Sequence, residues 1–135
     1  MSTTFKNNYA PMAYRNESRR VFAAGVPIVG YRLVTLLNGE LALCDPGEPL
    51  LGVTEYPANA AGERISVRLL NTEGTIEVEA SGAVAIGGQV VVAAGGLVAA
   101  DSGAGARTVV GQSLTAVTAG GVIEVIPYGY GHNLS

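Results

Sequence analysis

Residues Val84 to Ala100 read V-A-I-G-G-Q-V-V-V-A-A-G-G-L-V-A-A, two apolar, β-prone runs that meet across Gly95-Gly96. A Gly-Gly pair between such runs signals a hairpin, because both positions of a tight two-residue turn need φ > 0. Working outward, the same pattern occurs earlier: Val29 to Leu37 leads into Asn38-Gly39 and then into Glu40-Leu41-Ala42-Leu43. Placing Asn38-Gly39 over Gly95-Gly96 sets Gly30 on Gly87 and Leu33-Val34 on Val90-Val91. Farther along, Leu51-Gly52-Val53 falls on Val110-Gly111-Gln112, and Gly62 to Val67 falls on Gly120 to Val125. The chain reads as one β unit written twice, roughly 58 residues apart, which marks an internal repeat. Both glycine-bearing turns are expected to hold two residues.

The remaining segments fit strands joined by turns. Asp45-Pro46-Gly47 is a turn, with Pro setting φ and Gly following it. Leu50 to Thr54 is a short strand, and Ile65 to Leu69 alternates as a half-buried strand does. Thr75 to Ala80 alternates most clearly, sending Ile76, Val78 and Ala80 inward and Glu77 and Glu79 outward. Thr108 to Leu114 and Val122 to Ile126 are the last strands, and Pro127 is expected to end the second by removing an amide donor. Four glycines between Val84 and Ala100 argue against a helix there. The expected fold is all-β, a small barrel or sandwich of two similar hairpin-containing halves at about 21–70 and 75–127. An extended N-terminal arm, 1–20, precedes it, and a flexible C-terminal tail, 128–135, follows.

Composition bounds the class. At 135 residues the chain is of single-domain length, 48% hydrophobic and only 14% charged, against roughly 25% charged in an ordinary soluble domain. So little charge on so small a domain implies that part of the surface is covered, most simply by another subunit. The net charge of −3 is unevenly placed. Lys6, Arg15, Arg19 and Arg20 stand against Glu17 alone in residues 1–20, whereas the rest of the chain is acidic. With Phe5, Tyr9 and Tyr14 as apolar pegs, this basic head reads as a docking arm. No apolar run reaches the length of a membrane span, and Met1 to Asn8 lacks the apolar stretch of a signal peptide, so no membrane and a cytoplasmic origin are expected.

Few residues carry chemistry. His132 is the one histidine and lies in the glycine-rich end, so a two-histidine metal site is excluded. Cys44 is the one cysteine and reads as a buried structural thiol. Glu77 and Glu79 have the spacing of a solvated strand face rather than of an acid/base pair. The glycine pairs lack the Lys-Ser/Thr and the helix that a phosphate loop needs. Stacking of the terminal aromatics on a nucleic acid is opposed by the acidic body. Glu124 shares a strand face with Val122 and Ile126, and is expected either to pair with Arg32, Arg64 or Arg107, within or between subunits, or to blunt an edge strand. No catalytic residue, metal site or cofactor is expected.

The hairpin G-x-x-V-V-V-A-A-G-G-L-V-A, the following V-G-Q-S-L and the closing A-G-G-V-I-E-V-I-P resemble the small capsid decoration (cement) proteins of tailed bacteriophages. The likeness spans about residues 20–127 and is clearest over 80–127. It implies an all-β body, a homotrimer, and attachment to the outside of the head, where such proteins brace the major capsid protein lattice. The capsid-binding arm would then be Phe5, Lys6, Tyr9, Tyr14, Arg15, Arg19 and Arg20, and Glu124 a subunit-interface charge. The alternative is a carbohydrate- or cell-surface-binding β module of a virion. It calls for exposed aromatics on a rigid face, whereas Tyr31 and Tyr56 are the only body aromatics outside the termini apart from Phe22.

Overall fold

The computed structural model describes residues 19–70 and 74–134, with side chains from 21 to 70 and from 74 to 128. The fold is all-β, with ten strands among the described residues. The first five are β1 (Arg19–Ala23), β2 (Leu33–Leu37), β3 (Glu40–Leu43), β4 (Gly52–Thr54) and β5 (Arg64–Leu69). They form one sheet in the order β1-β5-β4-β2-β3, whose two ends touch through a parallel bridge between Ala24 and Leu41. The second five are β6 (Ile76–Ala80), β7 (Gln89–Ala93), β8 (Leu97–Ala100), β9 (Arg107–Ser113) and β10 (Gly121–Leu134). They close a barrel in which β10 lies between β6 and β9, and β7 between β9 and β8, the seam being the parallel pair Ala80 with Val98. Strand for strand, the two halves have the same connectivity.

Local details repeat as well. The loop before the hairpin is tied to a later loop by reciprocal backbone bonds, Ile28 with Ala58 in the first half and Val84 with Val117 in the second. Gly52 and Gly111 are both placed where a strand crosses its neighbour too closely for a side chain. A Cβ on Gly52 would lie 2.7 Å from Val67 Cγ1, and one on Gly111 2.8 Å from Pro127 Cα.

The hairpins differ by one residue. In the first, Leu37 pairs with Glu40 across Asn38-Gly39, and both turn residues have positive φ (53° and 80°), as a twisted two-residue turn requires. In the second, Ala93 pairs with Leu97, so the connection is Ala94-Gly95-Gly96, a three-residue loop rather than the expected two. The added residue moves the register: Val34 pairs with Leu43 and Val90 with Ala100, which makes Val90 the counterpart of Val34 rather than of Leu33. Tyr31, with φ 61°, then matches Gly87, with φ 81°.

Two boundaries also move. β1 begins at Arg19 and pairs Arg19 with Arg68 and Arg20 with Val67, so both arginines assigned to the arm belong to the first sheet. The backbone ladder of β5 is available to any side chain, which a reading from charge alone misses. The segment expected as a loose tail from Tyr128 continues β10 to Leu134 and pairs with Arg107 to Val109. Pro127 does not end the strand, because it sits where the register with β9 shifts between Val109 and Gly111, a bulge that tolerates a missing donor.

The interior of the first half holds Val34, Leu41, Ile65 and Val67. The opposite face of its sheet supplies Leu33, Cys44, Leu50, Val53 and Leu70, and these join Ile76, Val78, Val90 and Val125 of the second half in one buried cluster. The halves therefore share apolar core and are not beads on a string. Among the described residues no helix is long and apolar enough to cross a membrane.

Candidate functional site

The junction between the halves is where polar side chains converge. The second hairpin loop is seated on the first half. Gly96 N–H donates to the Cys44 carbonyl (3.0 Å), and Gly95 N–H donates to Asp45 Oδ1 (2.8 Å). Arg32 spans the seam, giving Nη1 to the Gly95 carbonyl (3.2 Å) and Nη2 to Glu79 Oε1 (3.3 Å). Glu79 N–H donates to the Tyr31 carbonyl (2.9 Å). These contacts fasten the second hairpin loop to the first half.

The repeat explains why only one half receives a loop. With Val90 matched to Val34, the positions of Leu33, Cys44 and Val53 are taken in the second half by Gln89, Asp101 and Gln112. Gln89 Nε2 donates to Asp101 Oδ2 (2.6 Å), and Gln112 Nε2 donates to the Gly87 carbonyl (3.1 Å). That face satisfies its own polar groups, so it has no apolar surface to offer a third barrel. A one-residue shift in a strand exchanges its faces, which hid this contrast when Leu33 was aligned with Val90.

The expected chemical candidates are accounted for one by one. Cys44 is buried, and burial, reinforced by the charges of Glu48 and Asp45, raises its pKa to about 12, so it is not a nucleophile at neutral pH. Glu124 accepts from Thr75 Oγ1 at 2.6 Å. Within the chain none of the three arginines considered for it is its partner: Arg32 pairs with Glu79, Arg107 Nε with Asp101 Oδ1 at 2.6 Å, and Arg64 is exposed. Nor is β10 an edge, since β6 and β9 flank it. Asp101 is held below the usual carboxylate range by the Gly103 amide first, then by Gln89 and Arg107. Among the described residues no cluster of three or more His, Cys, Asp or Glu side chains could hold a metal. Phe5, Lys6, Tyr9, Tyr14 and Arg15 lie outside the described residues, as does the side-chain placement of Arg19, Arg20 and His132.

What the surface does offer is apolar area. Tyr56 is 67% and Leu37 60% exposed, and Val29, Tyr31 and Ile86 are also in solvent. Along β1 and β10, Val21, Val122, Ile126 and Tyr128 stand exposed.

No protein-family model matches the chain, and no curated protein does. The fold is similar to a solved structure, the N base of the head fiber gp8.5 of bacteriophage phi29, with a TM-score of 0.66 at 14% sequence identity. The likeness covers 84% of this chain and 96% of that one. At this identity the shared property is the fold, and it takes in both halves.

Proposed function

We propose that this chain is a structural virion protein that binds the outside of a phage head and braces the major capsid protein lattice as a trimeric cement, after synthesis in the host cytoplasm. One observation carries the reading: the fold likeness to the base of a head fiber extends over nearly the whole of both chains. The surface supports it. Exposed apolar side chains on a charge-poor body suit burial against protein neighbours. Its role is mechanical and requires no cofactor. The side chains with chemical potential are engaged in holding the fold, as Cys44, Asp101 and Glu124 illustrate.

Attachment is assigned to the basic, aromatic segment before β1, with Phe5, Lys6, Tyr9, Tyr14 and Arg15 as its gripping side chains. The test is co-sedimentation with purified, undecorated heads across a salt series. Wild type is expected to bind, and a chain lacking residues 1–18 to fold but bind weakly, since β1 starts at Arg19. Replacing Lys6 and Arg15 is expected to weaken binding less, and mainly at low salt, because exposed charges are screened within about 10 Å at 0.1 M. Failure of wild type to bind heads refutes the cement role. Undiminished binding by the truncated chain refutes the arm. A glycan- or cell-surface-binding reading draws support from exposed Tyr31 and Tyr56, which lie on loops at the ends of β2 and β4. Binding to cells but not to heads would favour it.

A further inference from the structure

We propose that the outer face of β6 and β10 is a docking surface for the outer face of β1 and β5 in a second copy of this chain. The inference rests on the assembly reading above and specifies which surfaces meet. The two faces occupy the same place in the two halves, because Val21 pairs with Ser66 as Glu77 pairs with Glu124. Their charges are opposite. On β1 and β5 the outward positions are Val21, Ala23, Arg64, Ser66 and Arg68, and on β6 and β10 they are Glu77, Glu79, Val122, Glu124 and Ile126.

The acidic face is unsatisfied where it matters. Glu77 and Glu124 are direct cross-strand partners, and like charges so placed repel. Glu124 is relieved by Thr75 and Glu79 by Arg32, whereas Glu77 is exposed and, among the described residues, has neither an ion pair nor a side-chain hydrogen bond. On the other face Arg64 is exposed and, among the described residues, likewise has no ion pair. Beside these charges lie exposed apolar side chains: Val122 (44%) and Ile126 (41%) on one face, and Val21 (41%) on the other. An apolar strip with a free acid facing an apolar strip with a free base supplies both the area and the register of a contact.

The second barrel of the same chain does not fill this role for the first. It is seated on the Leu33, Cys44 and Val53 face of the first sheet; on the outer face Arg68 Nε reaches the Thr75 carbonyl (3.2 Å), while Val21 and Arg64 stay exposed. Because the two surfaces differ, the contact is head-to-tail, and such a contact either closes a ring or propagates a filament. A ring of three copies is the closure that agrees with a trimeric cement.

The test uses the full chain and sedimentation at several concentrations. Glu77→Arg or Arg64→Glu alone is expected to weaken assembly by about tenfold or more, and the two together to restore most of it, since reversal places like charges across the contact. Both residues are exposed, so circular dichroism should be unchanged. Geometry is checked by co-expressing Glu77→Cys chains with Arg64→Cys chains, the native Cys44 being buried. A disulfide-linked pair is expected only when both variants are present. Equal cross-linking of one variant with itself would show a symmetric contact and overturn the proposal. A wild-type trimer that tolerates both reversals overturns this interface and leaves the cement reading standing. A wild-type monomer that still binds heads overturns the interface and the trimer together. Loss of head binding by a variant that still assembles would place the Glu77 or Arg64 face against the shell, and likewise refute the contact.

Discussion

Gly39 and Gly96 hold the same place in the two hairpins, and replacing each by alanine separates local from tertiary cost. Both have positive φ, 80° and 78°, so alanine at either carries the left-handed penalty of about 1–2 kcal/mol. A Cβ on Gly39 meets nothing within 4 Å. A Cβ on Gly96 lies 2.6 Å from the Leu33 carbonyl oxygen, 3.2 Å from Leu43 Cδ2 and 3.3 Å from Arg32 Cβ. The nearest obstacle is backbone of the first half, so relief requires the loop to lift off the junction. Overpacking of this kind adds about 1–3 kcal/mol. Lifting also breaks the bond from Gly96 N–H to the Cys44 carbonyl. The expected totals are about 1–2 kcal/mol for Gly39→Ala and about 2–5 kcal/mol for Gly96→Ala. Urea denaturation reads the difference. With a mid-range slope of about 2 kcal/mol per molar, Gly96→Ala should lower the midpoint by about 1–2.5 M and Gly39→Ala by about 0.5–1 M. Equal shifts would refute the argument, because they would mean that the second loop is not held against the first half.

Alanine at Gly52 or Gly111 should cost about 2–3 kcal/mol or more, a fall of roughly 10 °C in Tm, because its Cβ meets neighbouring backbone; Gly82→Ala, in open space without positive φ, should be neutral or slightly stabilising in the same melts. Cys44 should resist thiol reagents at pH 8 until the chain unfolds, so its labelling rate in a urea series should track global unfolding. Since its folded pKa of about 12 lies above the ordinary 9.0, the neutral buried thiol favours the fold below pH 9. That contribution should be lost as pH rises from 9 toward 12, and Cys44→Ala should lack this alkaline loss. Asp101 behaves oppositely: its folded pKa is depressed, so its contribution is present above the unfolded value of about 3.9 and lost as pH falls through the folded one. The stability gap between wild type and Asp101→Asn should therefore be constant from pH 5 to 7 and narrow below about pH 4.

The functional surfaces were legible in different degrees. The outward Glu77 and Glu79 follow from period-two alternation, which needs only that Ile76, Val78 and Ala80 be buried, as they are. The partner of Glu124 did not follow, because Thr75 and Glu124 are far apart in sequence and meet only through the pairing of β6 with β10. The Arg32 clamp was equally hidden. It depends on the second hairpin loop returning to the first half, and no local pattern encodes that return.

By itself the sequence determined the all-β class, the duplicated unit and the placement of the first hairpin turn. Alternation, glycine pairs and turn residues act over a few neighbouring residues, and such signals survive without knowledge of the partner strand. Only the tertiary structure decided the extra residue in the second turn, the inclusion of Arg19 and Arg20 in β1, and the extension of β10 past Pro127. It also decided that the Leu33, Cys44 and Val53 face would join the shared apolar core, whereas its counterpart, Gln89, Asp101 and Gln112, is closed by its own hydrogen bonds. The physical reason is common to all of these. Backbone hydrogen bonds and face burial are fixed by which segment lies alongside, and that choice is made by long-range packing.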